Sequence, residues 1–239
     1  MRKTKIICTI GPASESEDMI RELCKAGMNV ARLNFSHGSH EEHKARVEKI
    51  KKIRTELDLP IAIMLDTKGP EYRIGVFENG KAELHEGDKF TFTTNEIIGD
   101  NTKVSVSYKN LAKELNIGDT VLVNNGLIEL RVVNTTAEEI ECEVIIGGII
   151  SDRKSMAFPG KHIHQKYLSD KDKEDLLFAI ENDLDFIACS FVSVKEDLKA
   201  VHEFLDANGG SDISLIAKIE NQSGYDNIEE ICELCSGIM

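Results

Sequence analysis

The stretch "VARLNFSHG", residues 30–38, decides the fold. Side chains on a strand point alternately to opposite faces. Ala31, Leu33 and Phe35 therefore share one face, and Arg32, Asn34 and Ser36 share the other. A strand that is apolar at its start and polar at its carboxyl end fits a parallel α/β sheet. In such sheets functional groups gather where the strands end.

Working outward, short apolar runs alternate with helical patterns. The runs are "KIICTI", "MNVARLNF", "PIAIMLDT", "DFIACSF" and "SLIAKIE". Helix starts are marked by "SESE" (Ser14, Glu17), "SHEE" (Ser39, Glu42), "SDKD" (Ser169, Asp172) and "SVKE" (Ser193, Glu196), each read as a capping box. Gly27 stops the first helix.

Residues 71–156 break this rhythm. They are rich in Val, Thr and Ile, and carry the turn signals "NG" at 79–80, "NNG" at 124–126 and "GG" at 147–148. The expected organisation is α/β: barrel strands 1–3 over 1–70, an inserted all-β lid over 71–156, and barrel strands 4 and 5 over 157–239. "SGIM" at 236–239 reads as the start of a sixth strand. A closed (β/α)8 TIM barrel needs eight strands, so a partial barrel is expected, and with it a chain that is part of a longer protein.

The chain has 239 residues, a net charge of −13 and six scattered cysteines. An acidic balance argues against a general nucleic-acid role, because phosphate backbones are met by basic surfaces. No apolar run reaches membrane-spanning length. Cysteines inside apolar runs read as reduced thiols of a cytoplasmic protein. "CELC" (Cys232, Cys235) has metal-ligand spacing but no second pair, and reads as a helix face.

Three strands place polar groups at one end: Arg32, Asn34, Ser36 and His37 on the second, Asp66, Thr67 and Lys68 on the third, Lys218 and Glu220 on the fifth. Arg32 can grip a phosphate or carboxylate with two hydrogen bonds. Asn34, Ser36, Asp66 and Thr67 offer hard oxygens for a cation, and Glu220 a ligand for Mg²⁺. Lys218 is a mobile cation able to neutralise a transferring phosphoryl group. From the residues alone two readings stay open. One is a metal-assisted phosphoryl- or enolate-handling enzyme; the other is a Schiff-base aldolase with Lys218 as the amine.

At these residues the sequence resembles the pyruvate kinase family. The resemblance rests on "TKIICTIGPAS", "NVARLNFSHGSHEEH", "MLDTKGPEYRIG", "DFIACSFV" and "IAKIEN", in that order along the chain. It implies a TIM barrel with a lid after strand three, and transfer of a phosphoryl group from phosphoenolpyruvate to ADP, giving pyruvate and ATP in glycolysis. It implies that Lys218 is catalytic, that Arg32 contacts the substrate phosphoryl group, and that Glu220 binds Mg²⁺ (or Mn²⁺). Asn34, Ser36, Asp66 and Thr67 would bind K⁺. Asn34, Phe35, Ser36, His37, Arg73 and Lys154 would contact the nucleotide. It implies a cytoplasmic homotetramer acting on small molecules, with neither nucleic acid nor membrane as partner. A different barrel lyase or aldolase, and a non-catalytic nucleotide-binding relative, are the competing readings.

Two segments depart from the family's pattern. "VNNGLI" has Asn124 and Asn125 where aspartates are usual, and "KSMAFPG" carries Ser155 and Ala157. "KHIH" (His162, His164) departs too and reads as an exposed hinge. Glu71, in "DTKGPE", stands where members that work without potassium carry lysine, so a potassium requirement is expected unless Glu71 only pairs with a nearby cation. A chain ending before the barrel closes is expected to be inactive alone.

Overall fold

A computed structural model of the chain describes residues 3–161 and 163–239. The elements begin with β1 (Ile7–Thr9), α1 (Glu17–Ala26), β2 (Val30–Asn34), α2 (His40–Glu56) and β3 (Ala62–Asp66). Next come β4 (Lys81–Leu84), β5 (Lys89–Thr93), β6 (Lys103–Ser105), α3 (Leu111–Glu114) and β7 (Thr120–Val123). The long hairpin β8 (Ile128–Thr135) and β9 (Glu139–Ile146) follows, then β10 (Gly148–Ser151) and β11 (Met156–Ala157). The chain continues through α4 (Asp170–Glu181), β12 (Phe186–Cys189), α5 (Lys195–Ala207) and β13 (Ser214–Ala217). It finishes with α6 (Gln222–Asp226), α7 (Ile228–Cys232) and β14 (Gly237–Ile238).

Two compact units result. The first comprises Met1–Pro70, Lys166–Glu220 and Gly224–Met239; the second comprises Glu71–Gln165 with Asn221–Ser223. The second unit thus extends past residue 156, the boundary read from the sequence. Phe158 is buried in its core and Ile163 packs against the same cluster, which ties the following segment to it.

In the first unit the sheet order is β1-β2-β3-β12-β13-β14, and every neighbouring pair is parallel. Strands adjacent in this order are consecutive within the unit, as in a partial (β/α)8 barrel. Ala31, Leu33 and Phe35 are buried in one cluster with Val47 and Ile50 of α2 and Leu176 and Phe178 of α4. Covering a face with helices is what lets a parallel strand be apolar on that side. Each fully buried large aliphatic side chain there contributes roughly 1.5–3 kcal/mol.

Helix starts follow their caps, with two corrections. Ser39 with Glu42 and Ser169 with Asp172 form capping boxes. α1, however, is capped by Ser16, whose hydroxyl accepts from Met19 N, while the Ser14 hydroxyl serves the Gly11 turn. α5 begins after Val194, and Asp197, rather than Glu196, accepts from Ser193 N and Val194 N. Gly27 ends α1 in a left-handed conformation, φ 109°.

The second unit is a mixed sheet, β11-β7-β8-β9-β5-β6, beside the pair β10-β4. Phe90, Phe92, Leu130, Ile140 and Val144 fill its core. Asn124, Asn125 and Gly126 sit consecutively at positive φ (56°, 57°, 82°) between β7 and β8. Asparagine tolerates that region better than most side chains.

Candidate functional site

β2, β3 and β12 bring their ends into register. Asn34 pairs with Asp66, and Asp66 with Ala188. β13 ends at Ala217, so Lys218 and Glu220 stand just past the strand rather than on it. The ladder carries on through Lys218 N donating to the Cys189 carbonyl at 2.9 Å. Lys218 and Glu220 still meet, Nζ to Oε1 at 3.2 Å. Four strand ends therefore contribute to one cluster.

Asp66 is its hub. It is 1% exposed, and both its oxygens are engaged. Arg32 Nε donates to Oδ2 at 2.6 Å, and Lys218 Nζ to Oδ1 at 3.0 Å. Arg32 also donates to Thr9 Oγ1 on β1, at 2.7 Å. A buried carboxylate is stable as an ion only when paired and hydrogen-bonded, and here two cations supply that. Both cations keep partial access to solvent, 25% for Arg32 and 13% for Lys218. The cluster thus presents positive charge outward from a negative floor.

Lys218 also donates to Ser190 Oγ at 2.7 Å. Glu220 Oε2 accepts from Phe191 N at 3.0 Å. Phe191 has φ 57°, a conformation costing a bulky residue roughly 1–3 kcal/mol. Glu220, a third exposed, is fixed by this amide and the lysine. Gly69 marks the closest approach: at φ 63°, a Cβ there would lie 2.5 Å from the Ser190 carbonyl oxygen.

The turn after β2 holds the remaining oxygens. Asn34 Oδ1 accepts from Ser36 N at 3.0 Å. The Phe35 side chain is buried, stacked on His43 with ring centroids 4.0 Å apart, so only its backbone is available to a ligand. His43 Nε2 bonds the His37 carbonyl at 2.8 Å and braces the turn. Burial holds the His43 imidazole below its ordinary value, against the opposing pull of that carbonyl.

An amide, a hydroxyl, a carboxylate and a carbonyl within two adjacent strand ends suit a hard cation. Among the described residues no three His, Cys, Asp or Glu side chains converge on a point. A single carboxylate at Glu220 suits Mg²⁺, which keeps several waters and is completed by substrate oxygens.

The match to known proteins agrees with this arrangement. The family model of the pyruvate kinase barrel domain matches residues 1–239. The chain belongs to the pyruvate kinase family. It is 49% identical over 240 residues to a pyruvate kinase of Clostridium perfringens, covering 100% of this chain and 51% of that protein. It is 47% identical over 241 residues to one from Staphylococcus aureus, covering 41% of it. A crystal structure of a pyruvate kinase from Cryptosporidium parvum superposes over the whole chain and 50% of its own, with TM-score 0.94 and 40% identity. The chain spans about half the length of these relatives.

In the second unit Arg73 and Lys154, expected from the resemblance to contact a nucleotide, also come together. Arg73 bridges to Ser155, and Ile74 N donates to the Lys154 carbonyl at 3.0 Å, so Arg73 and Lys154 lie on adjoining segments. Glu71 grips Arg73 with both oxygens at 2.7 Å. The two departures from the family's pattern meet here: Ser155 Oγ donates to Asn125 Oδ1 at 3.2 Å, and Asn124 N to the Ser155 carbonyl at 3.0 Å. His164 pairs with Glu114 at 3.1 Å; His162 lies outside the described residues. All six cysteines are free.

Sequence reasoning passed over Thr9 and Ser190. Each is a hydroxyl at the end of a parallel strand, and its role shows only once the neighbouring strands are paired.

Proposed function

We propose that the protein is a pyruvate kinase, transferring a phosphoryl group from phosphoenolpyruvate to ADP in cytoplasmic glycolysis. The observation that carries this is the Lys218 ammonium, held by Asp66, Ser190 and Glu220 beside the Arg32 guanidinium.

Arg32 binds the phosphoryl group of phosphoenolpyruvate by its outward edge, oriented by Asp66 and Thr9. A terminal oxygen of ADP attacks phosphorus in line, and the bond to the enol oxygen breaks with its electron pair staying on that oxygen. Lys218 stabilises the charge on the phosphoryl oxygens in flight. The enolate then takes a proton at its terminal carbon to become pyruvate, which makes the transfer downhill. The family resemblance assigns Arg73, Lys154 and the 34–37 turn to the nucleotide phosphates.

Asn34, Ser36, Asp66 and Thr67 would hold K⁺, and Glu220 would hold Mg²⁺ or Mn²⁺. The bound cations supply charge neutralisation for the phosphates. Asp66 and Glu220 also bear on the aldolase alternative. A Schiff-base amine attacks with its nitrogen lone pair, whereas Lys218 Nζ is engaged by Asp66, Ser190 and Glu220.

The test is ADP-dependent pyruvate formation by the full-length protein in a coupled assay with Mg²⁺ and K⁺. Nucleotide binding without turnover would favour the non-catalytic relative instead.

A further inference from the structure

Ser190 follows β12 and is 2% exposed. Its hydroxyl oxygen lies 2.7 Å from Lys218 Nζ, 3.1 Å from Asp66 Oδ1 and 2.6 Å from the Thr67 carbonyl oxygen. An ammonium only donates, while a carboxylate and a carbonyl only accept. The direction of each bond is therefore fixed. Ser190 accepts from Lys218 and gives its single hydrogen to Thr67, the shorter contact, or to Asp66.

The residue is locked from three sides. Its amide donates to Thr67 Oγ1 at 3.1 Å, and that hydroxyl turns to the Ala188 carbonyl at 3.3 Å. Its own carbonyl accepts from the Tyr167 hydroxyl at 2.8 Å. The same carbonyl meets Gly69, where no Cβ fits. This is more restraint than one buried serine needs for packing, and all of it aims one oxygen at one ammonium.

We propose that Ser190 is a positioning residue for Lys218. Asp66 Oδ1 and Glu220 Oε1 neutralise the ammonium but leave it free to swing between them, since ionic attraction has little directionality. The hydroxyl supplies the directional acceptor that fixes where the three N–H bonds point. It also ties that orientation to the Thr67 carbonyl. The proposal rests on the reading of Lys218 as the group that stabilises the phosphoryl in flight. A hydrogen bond to a charged group is stronger than one between neutral partners, and misaiming an ammonium weakens the transition state more than substrate binding.

Ser190→Ala in the full-length protein should lower kcat about 10- to 100-fold, as expected for losing a hydrogen bond to a charged group. KM for phosphoenolpyruvate should stay within about threefold, since the ground-state grip belongs to Arg32. Ser190→Thr, which keeps the hydroxyl, should recover most of the loss. Unchanged kcat in folded Ser190→Ala, or a loss carried by KM instead of kcat, overturns the proposal. If Ser190→Ala does not fold, the comparison is made with Ser190→Cys, a weaker acceptor, and the same outcomes decide. Lys218→Met made in parallel separates the failures. Full turnover there overturns the reading of Lys218 itself. Loss there with full turnover in Ser190→Ala overturns the role of Ser190 alone.

Discussion

The two units bury different chemistry. The buried charged side chains among the described residues, Arg46, Asp66, Asp172 and Asp175, all lie in the first unit, as does buried His43; the buried polar residues of the second are Thr93 and Thr94. The second unit, a mixed sheet, fills its core with apolar groups. The parallel unit leaves strand ends and helix starts to satisfy. The Asp172 carboxylate completes the α4 capping box by accepting from Ser169 N at 3.0 Å and also accepts from Gly69 N at 3.3 Å, Asp175 pairs with His40 at 2.6 Å, and Arg46 pairs with Glu15 at 2.7 Å. Buried charge in the first unit is paired charge, and at Asp66 the pairing gathers Arg32 and Lys218 at the strand ends.

The largest effects should therefore have different origins in the two units. Asp66→Ala leaves Arg32 and Lys218 without their shared carboxylate, at a cost of about 3–5 kcal/mol. Phe92→Ala opens a cavity in the second core, at a similar cost of about 3–5 kcal/mol. Hydrogen exchange should locate them separately, Asp66→Ala raising exchange in 1–70 and 166–220, and Phe92→Ala in 71–165. Exchange rising equally in both units for either variant would mean that they do not open independently.

Next in size is Lys218→Met, which should lower kcat by about 10²–10³-fold, typical of losing one preorganised charge-stabilising group. A variant with unchanged kcat and a raised KM would move Lys218 to a binding role.

Potassium dependence sharpens the comparison from the second unit. Glu71 holds Arg73 bidentately, and this pairing is the alternative to a role for Glu71 in the potassium requirement. The position still cannot supply a cation. Activity should be higher in potassium than in sodium or tetramethylammonium at equal ionic strength, which holds screening constant. Glu71→Lys should partly relieve the requirement. Because it also frees Arg73, Glu71→Gln is the control: it breaks the pair without adding charge. Relief by both variants equally would assign the effect to Arg73.

The strands and two of the four marked helix starts were legible because period-two alternation and capping residues are local signals. Where the local signal was ambiguous, the reading slipped by a residue or two. Ser14 and Glu17 have capping-box spacing, but Ser14 is drawn into the Gly11 turn, and Ser16 caps. Arg32, Asp66, Lys218 and Glu220 were legible as charges following apolar runs. Ser190 was not. Its bonds to Asp66 and Thr67 reach across more than a hundred residues and exist only because β3 and β12 are neighbours. A serine between cysteine and phenylalanine looks like a small core residue until that pairing is known.

The smallest effect concerns acid. His43 is buried against Phe35, and burial lowers its affinity for a proton, with Arg46 adding to that effect. The His37 carbonyl, Asp175 and Glu42 pull the other way without overcoming it. The native state therefore binds this proton less readily than the unfolded chain. Its contribution to stability is complete above the ordinary imidazole value of about 6.5 and is lost as pH falls through the lower native value. Protonation would also set an N–H on Nδ1 against Arg46, 3.4 Å away. Denaturant midpoints should fall between pH 7 and 5, with exchange rising first around the 34–38 turn. Carboxylates titrate at the lower end of that range, so the informative quantity is the difference in slope between the unaltered protein and His43→Gln, which cannot take up the proton. A shallower slope in His43→Gln is expected. Parallel slopes would show that the acid sensitivity lies elsewhere, and the braced turn would then owe its order to Phe35 packing alone.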